Sequence, residues 1–120
     1  MSKAKKQCVY QDGWQEWGRD AGVGDGMSAP SRLLVSLHET EQAAEEDLAA
    51  VVAASRAHTS ALVPGGNSRL PMLRSAEYDP LDFVPRQNRD EYVGQRYAAL
   101  CGTLADEAVA RRARLVAGNA

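Results

Sequence analysis

The sequence is short of large side chains. Its 120 residues include one Phe, two Trp and four Tyr. The apolar fraction of 44% is ordinary for a globular protein, but Ala supplies much of it. Full burial of a large apolar side chain contributes about 1.5–3 kcal/mol, and Ala contributes far less. Ordering the backbone costs about 1–2 kcal/mol per residue. The expectation is a thin core, and a chain ordered partly by neighbours.

Other absences narrow the function classes. There are two cysteines, Cys8 and Cys101, with no CxxC pair, so neither a disulfide framework nor a cysteine zinc site is expected. Cys101 falls on an apolar helical position and reads as a buried free thiol. No run of about 18 apolar residues is present, so no membrane span is expected. Lys3, Lys5 and Lys6 precede no apolar stretch, so no secretory signal is expected. The expected setting is a reducing compartment, or an assembly such as a virion packaged from one. Fourteen basic and sixteen acidic residues give a net charge of −2. A nucleic-acid binder would show a basic excess or face, so nucleic acid ranks low among partners.

Catalytic constellations are missing too. His38 and His58 are the only histidines and lie too far apart to pair along one helix turn. The run His38-Glu39-Thr40-Glu41 lacks the second His of a zinc-protease motif. Cys101 and His58 would need a third, orienting group to act as a nucleophile and base. The run Gly22-Val23-Gly24-Asp25-Gly26 has neither phosphate-loop nor dinucleotide spacing, and Asp12, Asp20 and Asp25 lack calcium-loop spacing. No catalytic residue, cofactor, metal or small-molecule substrate is expected, and the protein is expected not to be an enzyme.

What is present divides into four segments. Residues 1–30 are polar and Gly-rich and read as a flexible tail, interrupted by Trp14 and Trp17. Two indoles three residues apart share a helix face; they either fold back onto the helices or anchor in a partner, where Trp is enriched at hot spots. Residues 31–62 read as an amphipathic helix with apolar positions at Leu34, Leu37, Ala44, Leu48, Val51 and Leu62. Ser36 with Glu39 fits a capping box, which would start the helix later and leave residues 33–37 extended. The acidic run Glu39, Glu41, Glu45, Glu46, Asp47 reads as a solvated face near a helix start.

Pro64-Gly65-Gly66-Asn67 then breaks the helix. Residues 63–87 read as an extended segment, braced by Pro71, Pro80 and Pro85. It carries Leu70, Met72, Leu73, Tyr78, Leu81 and Phe83, anchors for which a partner surface is the expected home, because long loops in compact domains are usually functional. Residues 88–117 read as a second helix, capped by Asn88 with Glu91. Gly94, Ala98 and Gly102 recur every four residues, a small-residue face that lets another backbone approach closely.

The expected architecture is therefore mainly α: two amphipathic helices joined by a long proline-containing segment, with little independent core. The expected function is that of a non-enzymatic structural or accessory subunit, such as a phage virion component, that stabilises a larger assembly of other protein subunits. The alternative is a small helical dimeric regulator with one protein or nucleic-acid partner. The expected contact residues are Trp14, Trp17, Leu70, Met72, Leu73, Tyr78, Leu81, Phe83, Gly94, Ala98 and Gly102.

Overall fold

A computed structural model describes residues 6–12, 32–62 and 72–117. Within them the chain forms β1 (Gln7–Asp12), β2 (Arg32–His38), α1 (Glu41–Leu62), β3 (Leu73–Glu77), two short 3-10 turns (Pro80–Phe83 and Arg86–Glu91) and α2 (Gln95–Ala117). The strands make one antiparallel sheet in the order β2-β1-β3. This overturns the mainly-α expectation and the expectation of little core.

The strands arise within the three stretches that read as a flexible tail, a helix start and an extended segment. In β1, Cys8 and Tyr10 point to one face and Val9 to the other, the period-2 pattern of a strand covered on both sides. In β2, Leu33, Leu34 and Val35 are consecutive and all buried, which a two-sided strand accommodates and a one-faced helix does not. The residues expected to open the first helix thus form an edge strand, and the extended alternative for 33–37 is the one found. The pairing of β1 with β2 slips by one residue between Val9 and Tyr10, leaving Val35 as a bulge. The β1–β3 ladder continues beyond the strands through Tyr78 N to Lys6 O and Asp12 N to Met72 O, each 2.8 Å.

Both helices start later than expected. Thr40, not Ser36, caps α1: its hydroxyl accepts from the Ala43 amide at 3.1 Å. The Asn88/Glu91 capping box is not used, because residues 86–91 wind as a 3-10 turn. Gly94 then takes a left-handed φ of +57°, and its carbonyl accepts from the Tyr97 and Ala98 amides. Gly94 therefore lies before α2, not within it.

Two apolar clusters sandwich the sheet. One contains Cys8, Leu34, Phe83, Val84, Leu100, Leu104 and Ala108, with Tyr10, Leu37, Tyr78, Leu81 and Tyr92 against it. The other contains Val9, Val35 and Val51, with Leu48, Leu73, Leu115 and Val116 around them. The first half of α2 serves one cluster and its last turn the other. The helix therefore runs past the outer edge of β2, from one face of the sheet to the other, and covers that edge as it goes. Arg111 donates to the Leu34 carbonyl at 2.7 Å on the way. At the start of β2, Arg32 lies 4.4 Å from the centre of the Tyr10 ring and pairs with Asp82 at 3.4 Å, pinning the first 3-10 turn to the sheet.

Candidate functional site

Two features stand out: a polar knot between the three main elements, and an open face along α2.

The knot centres on Asp47, which α1 carries one residue before Leu48. Arg112 of α2 reaches it as a fork, Nε donating to Oδ2 at 3.1 Å and Nη2 to Oδ1. The Ser36 hydroxyl donates to Asp47 Oδ2 at 2.6 Å, and His38 Nε2 lies 2.9 Å from Ser36 Oγ and 3.4 Å from Asp47 Oδ2. The Asp47 side chain is 14% exposed. Burial pushes its carboxyl up, but the hydrogen bonds from Arg112 and Ser36, with the charges of Arg112 and His38, outweigh burial and hold it below the ordinary carboxylate range. The Arg112 guanidinium is raised in turn, chiefly by its hydrogen bond to Asp47.

Ser, His and Asp together invite comparison with a hydrolytic triad, and the geometry argues against one. Serine has one proton, and it goes to Asp47. Ser36 Oγ must therefore accept from His38, so Nε2 carries a hydrogen and is no base towards Ser36. The carboxylate faces Ser36 and Arg112 where a relay would have it orient the other ring nitrogen. The arrangement instead ties β2, α1 and α2 together. The sequence places Asp47 with the solvated acidic run. Glu39, Glu41, Glu45 and Glu46 are indeed exposed, but Asp47 turns inward. A helical wheel carries the signal, because Asp47 lies beside Ala44, Leu48 and Val51 on the buried side. Among the described residues no group of three or more His, Cys, Asp or Glu is arranged to hold a metal.

The open face is built from α2. Ala98 and Gly102 are exposed, and a Cβ added at Gly94 or Gly102 would meet nothing among the described residues within 4 Å. Ala105 and Val109 continue the stripe at helical spacing, and Val109 is 73% exposed. Two open cavities flank it. One, of about 710 Å³, lies by Tyr97, Cys101 and Gly102, with Lys6, Tyr78 and Asp79 opposite. The other, of about 480 Å³, lies between Val35 to Leu37 and the later turns of α2 at Val109 and Ala113. Leu37 and Ala105 line both, so they form one continuous trough along α2, apolar at Leu37, Ala105 and Val109 and charged at Lys6, Asp79 and Arg112. Within its wall the Tyr78 hydroxyl is shielded from solvent and has no hydrogen-bond partner among the described residues. Burial, with smaller effects from Cys101 and Tyr97, pushes that phenol up to about 12.

The other expected contact residues are distributed unevenly. Phe83 is buried in the first cluster, and Tyr78 and Leu81 pack against it. Leu73 packs on the second cluster, while Met72 is 44% exposed. The anchors of the middle segment thus find much of their burial within the chain itself. Trp14, Trp17 and Leu70 lie outside the described residues, as does the side chain of His58. Among the described residues no helix is long and apolar enough to cross a membrane. No family model, curated protein or solved structure matches the chain.

Proposed function

We propose that this chain is a non-catalytic binding protein, a structural or accessory subunit that docks onto other protein subunits through the outer face of α2. The observation that carries the proposal is Gly102. Glycine inside a helix costs about 1 kcal/mol relative to Ala. Among the described residues nothing requires it there, since a methyl group would meet none of them within 4 Å. A neighbour approaching the helix backbone closely supplies the missing reason. The adjoining trough and the exposed Val109 support the same reading, because contiguous apolar surface on a folded chain marks interaction sites.

A second reading uses the same face differently: two copies pair through α2 to make a discrete dimeric regulator. The two are separated by one comparison. Wild type and Gly102→Arg would be purified from the native source and separately as isolated proteins. Subunit docking predicts that wild type elutes in fixed stoichiometry with larger proteins, that Gly102→Arg does not, and that both are monomers when isolated. A dimer in isolation that Gly102→Arg dissociates supports the second reading. Identical behaviour of the two proteins in every setting refutes both.

A further inference from the structure

The two halves of α2 are held by different forces. Leu100, Leu104 and Ala108 are buried in the first apolar cluster. Beyond Ala108 no residue of α2 is fully buried. Val109, Ala110, Ala113, Arg114 and Ala117 are exposed, and Leu115 and Val116 are half-buried. A half-buried Leu or Val contributes roughly half of what a buried one does. Polar contacts do the rest of the fastening. Arg111 binds the Leu34 carbonyl, Arg112 forks onto Asp47, and Ser55 Oγ donates to the Leu115 carbonyl at 3.4 Å.

We propose that residues 109–117 form an arm that opens separately from the rest of the fold, latched by the Arg112–Asp47 fork. In the opened state the first cluster stays intact. Leu115 and Val116 leave the second cluster, uncovering Leu48 and Val51 on α1. Asp47 loses its guanidinium partner but keeps Ser36 and His38, so the latch has a preformed seat to return to. Residues 99–108, by contrast, open only when the whole domain unfolds, because Leu100, Leu104 and Ala108 are built into the first cluster. Regions held by few buried contacts open at lower free energy than the core in this way.

Native-state hydrogen exchange of the full chain, followed segment by segment in low urea, tests the proposal. In wild type, segment 109–117 exchanges faster than 99–108 and with little dependence on urea, while 99–108 shows the urea dependence of global unfolding. Asp47→Asn accelerates 109–117 by about ten- to a hundredfold, the range for losing a charge-assisted hydrogen bond. Leu104→Ala accelerates 99–108 and leaves 109–117 unchanged, since Leu104 remains packed when the arm is open. Ordinary fraying of a helix end would be indifferent to Asp47→Asn, and that outcome overturns the latch. Equal rates and equal urea dependence in both segments overturn the separate arm. Should either variant fail to fold, Arg112→Gln and the urea dependence of wild type decide the same two questions.

Discussion

Replacing Gly102 with Ala is the sharpest test of how the α2 face behaves. The position lies well inside the helix, seven residues after Gln95 and fifteen before Ala117. The added methyl group meets no atom of the described residues within 4 Å, so there is no steric cost to subtract. What remains is the helix propensity difference and the lost freedom of the unfolded chain, together about 0.5–1 kcal/mol in favour of Ala. For a domain of this size about 1 kcal/mol corresponds to roughly 4–8 °C in Tm. Gly102→Ala should therefore raise Tm by roughly 2–8 °C in thermal unfolding followed by circular dichroism. Ala99→Gly, at an exposed position of the same helix, should lower it by a similar amount. The measurement belongs at two protein concentrations tenfold apart. A neutral or destabilising Gly102→Ala at both would show that something in the chain already packs against that face, and the argument from open space would fail. A loss that appears only at the higher concentration would place a second copy there.

Three further outcomes follow from the buried polar and titratable groups. The Asp47 carboxyl is lowered in the folded state, so its contribution to stability is present above its ordinary value of 3.8 and disappears as pH falls through the lower folded value. Urea unfolding between pH 7 and pH 2 should show wild type losing stability across that window, and Asp47→Asn, already weaker at neutral pH, losing correspondingly less. Cys8 is fully buried and its thiol is pushed up to about 11 by burial, against the opposing effect of Arg32. At pH 8 a thiol reagent should label half-buried Cys101 in the native protein and reach Cys8 only on unfolding; rapid native labelling of both would contradict the packing of β1. The Tyr78 hydroxyl is buried without a partner among the described residues, so Tyr78→Phe removes an uncompensated polar group and should stabilise the domain by up to about 1 kcal/mol. A loss of that size would instead reveal a partner for the hydroxyl.

Much of the helical architecture was legible from the order of residues. Helices over most of 41–62 and 95–117 follow from apolar residues three and four apart, and Leu48, Val51, Leu100, Leu104 and Ala108 all face inward as that spacing requires. The exposed small-residue face of α2 was legible for the same reason, apart from Gly94, whose positive φ sets it before the helix. Ser55, a polar residue on the apolar side of α1, is buried because its hydroxyl finds the Leu115 carbonyl on the other helix.

Only the tertiary structure decided that three short segments pair into a sheet. β1 lies within a stretch whose glycines and charges look disordered, β2 ran into the helix that follows it, and β3 is five residues long. A strand of this length gains its stability from partners twenty to seventy residues away, and local periodicity carries no trace of them. The same holds for Asp47 and Arg112, sixty-five residues apart, each an ordinary charged helix residue until folding sets them face to face. Local spacing determines which side of a helix is apolar; which strand, carboxylate or neighbouring backbone that side meets is determined by contacts between residues remote in the chain, and those exist only once it has folded.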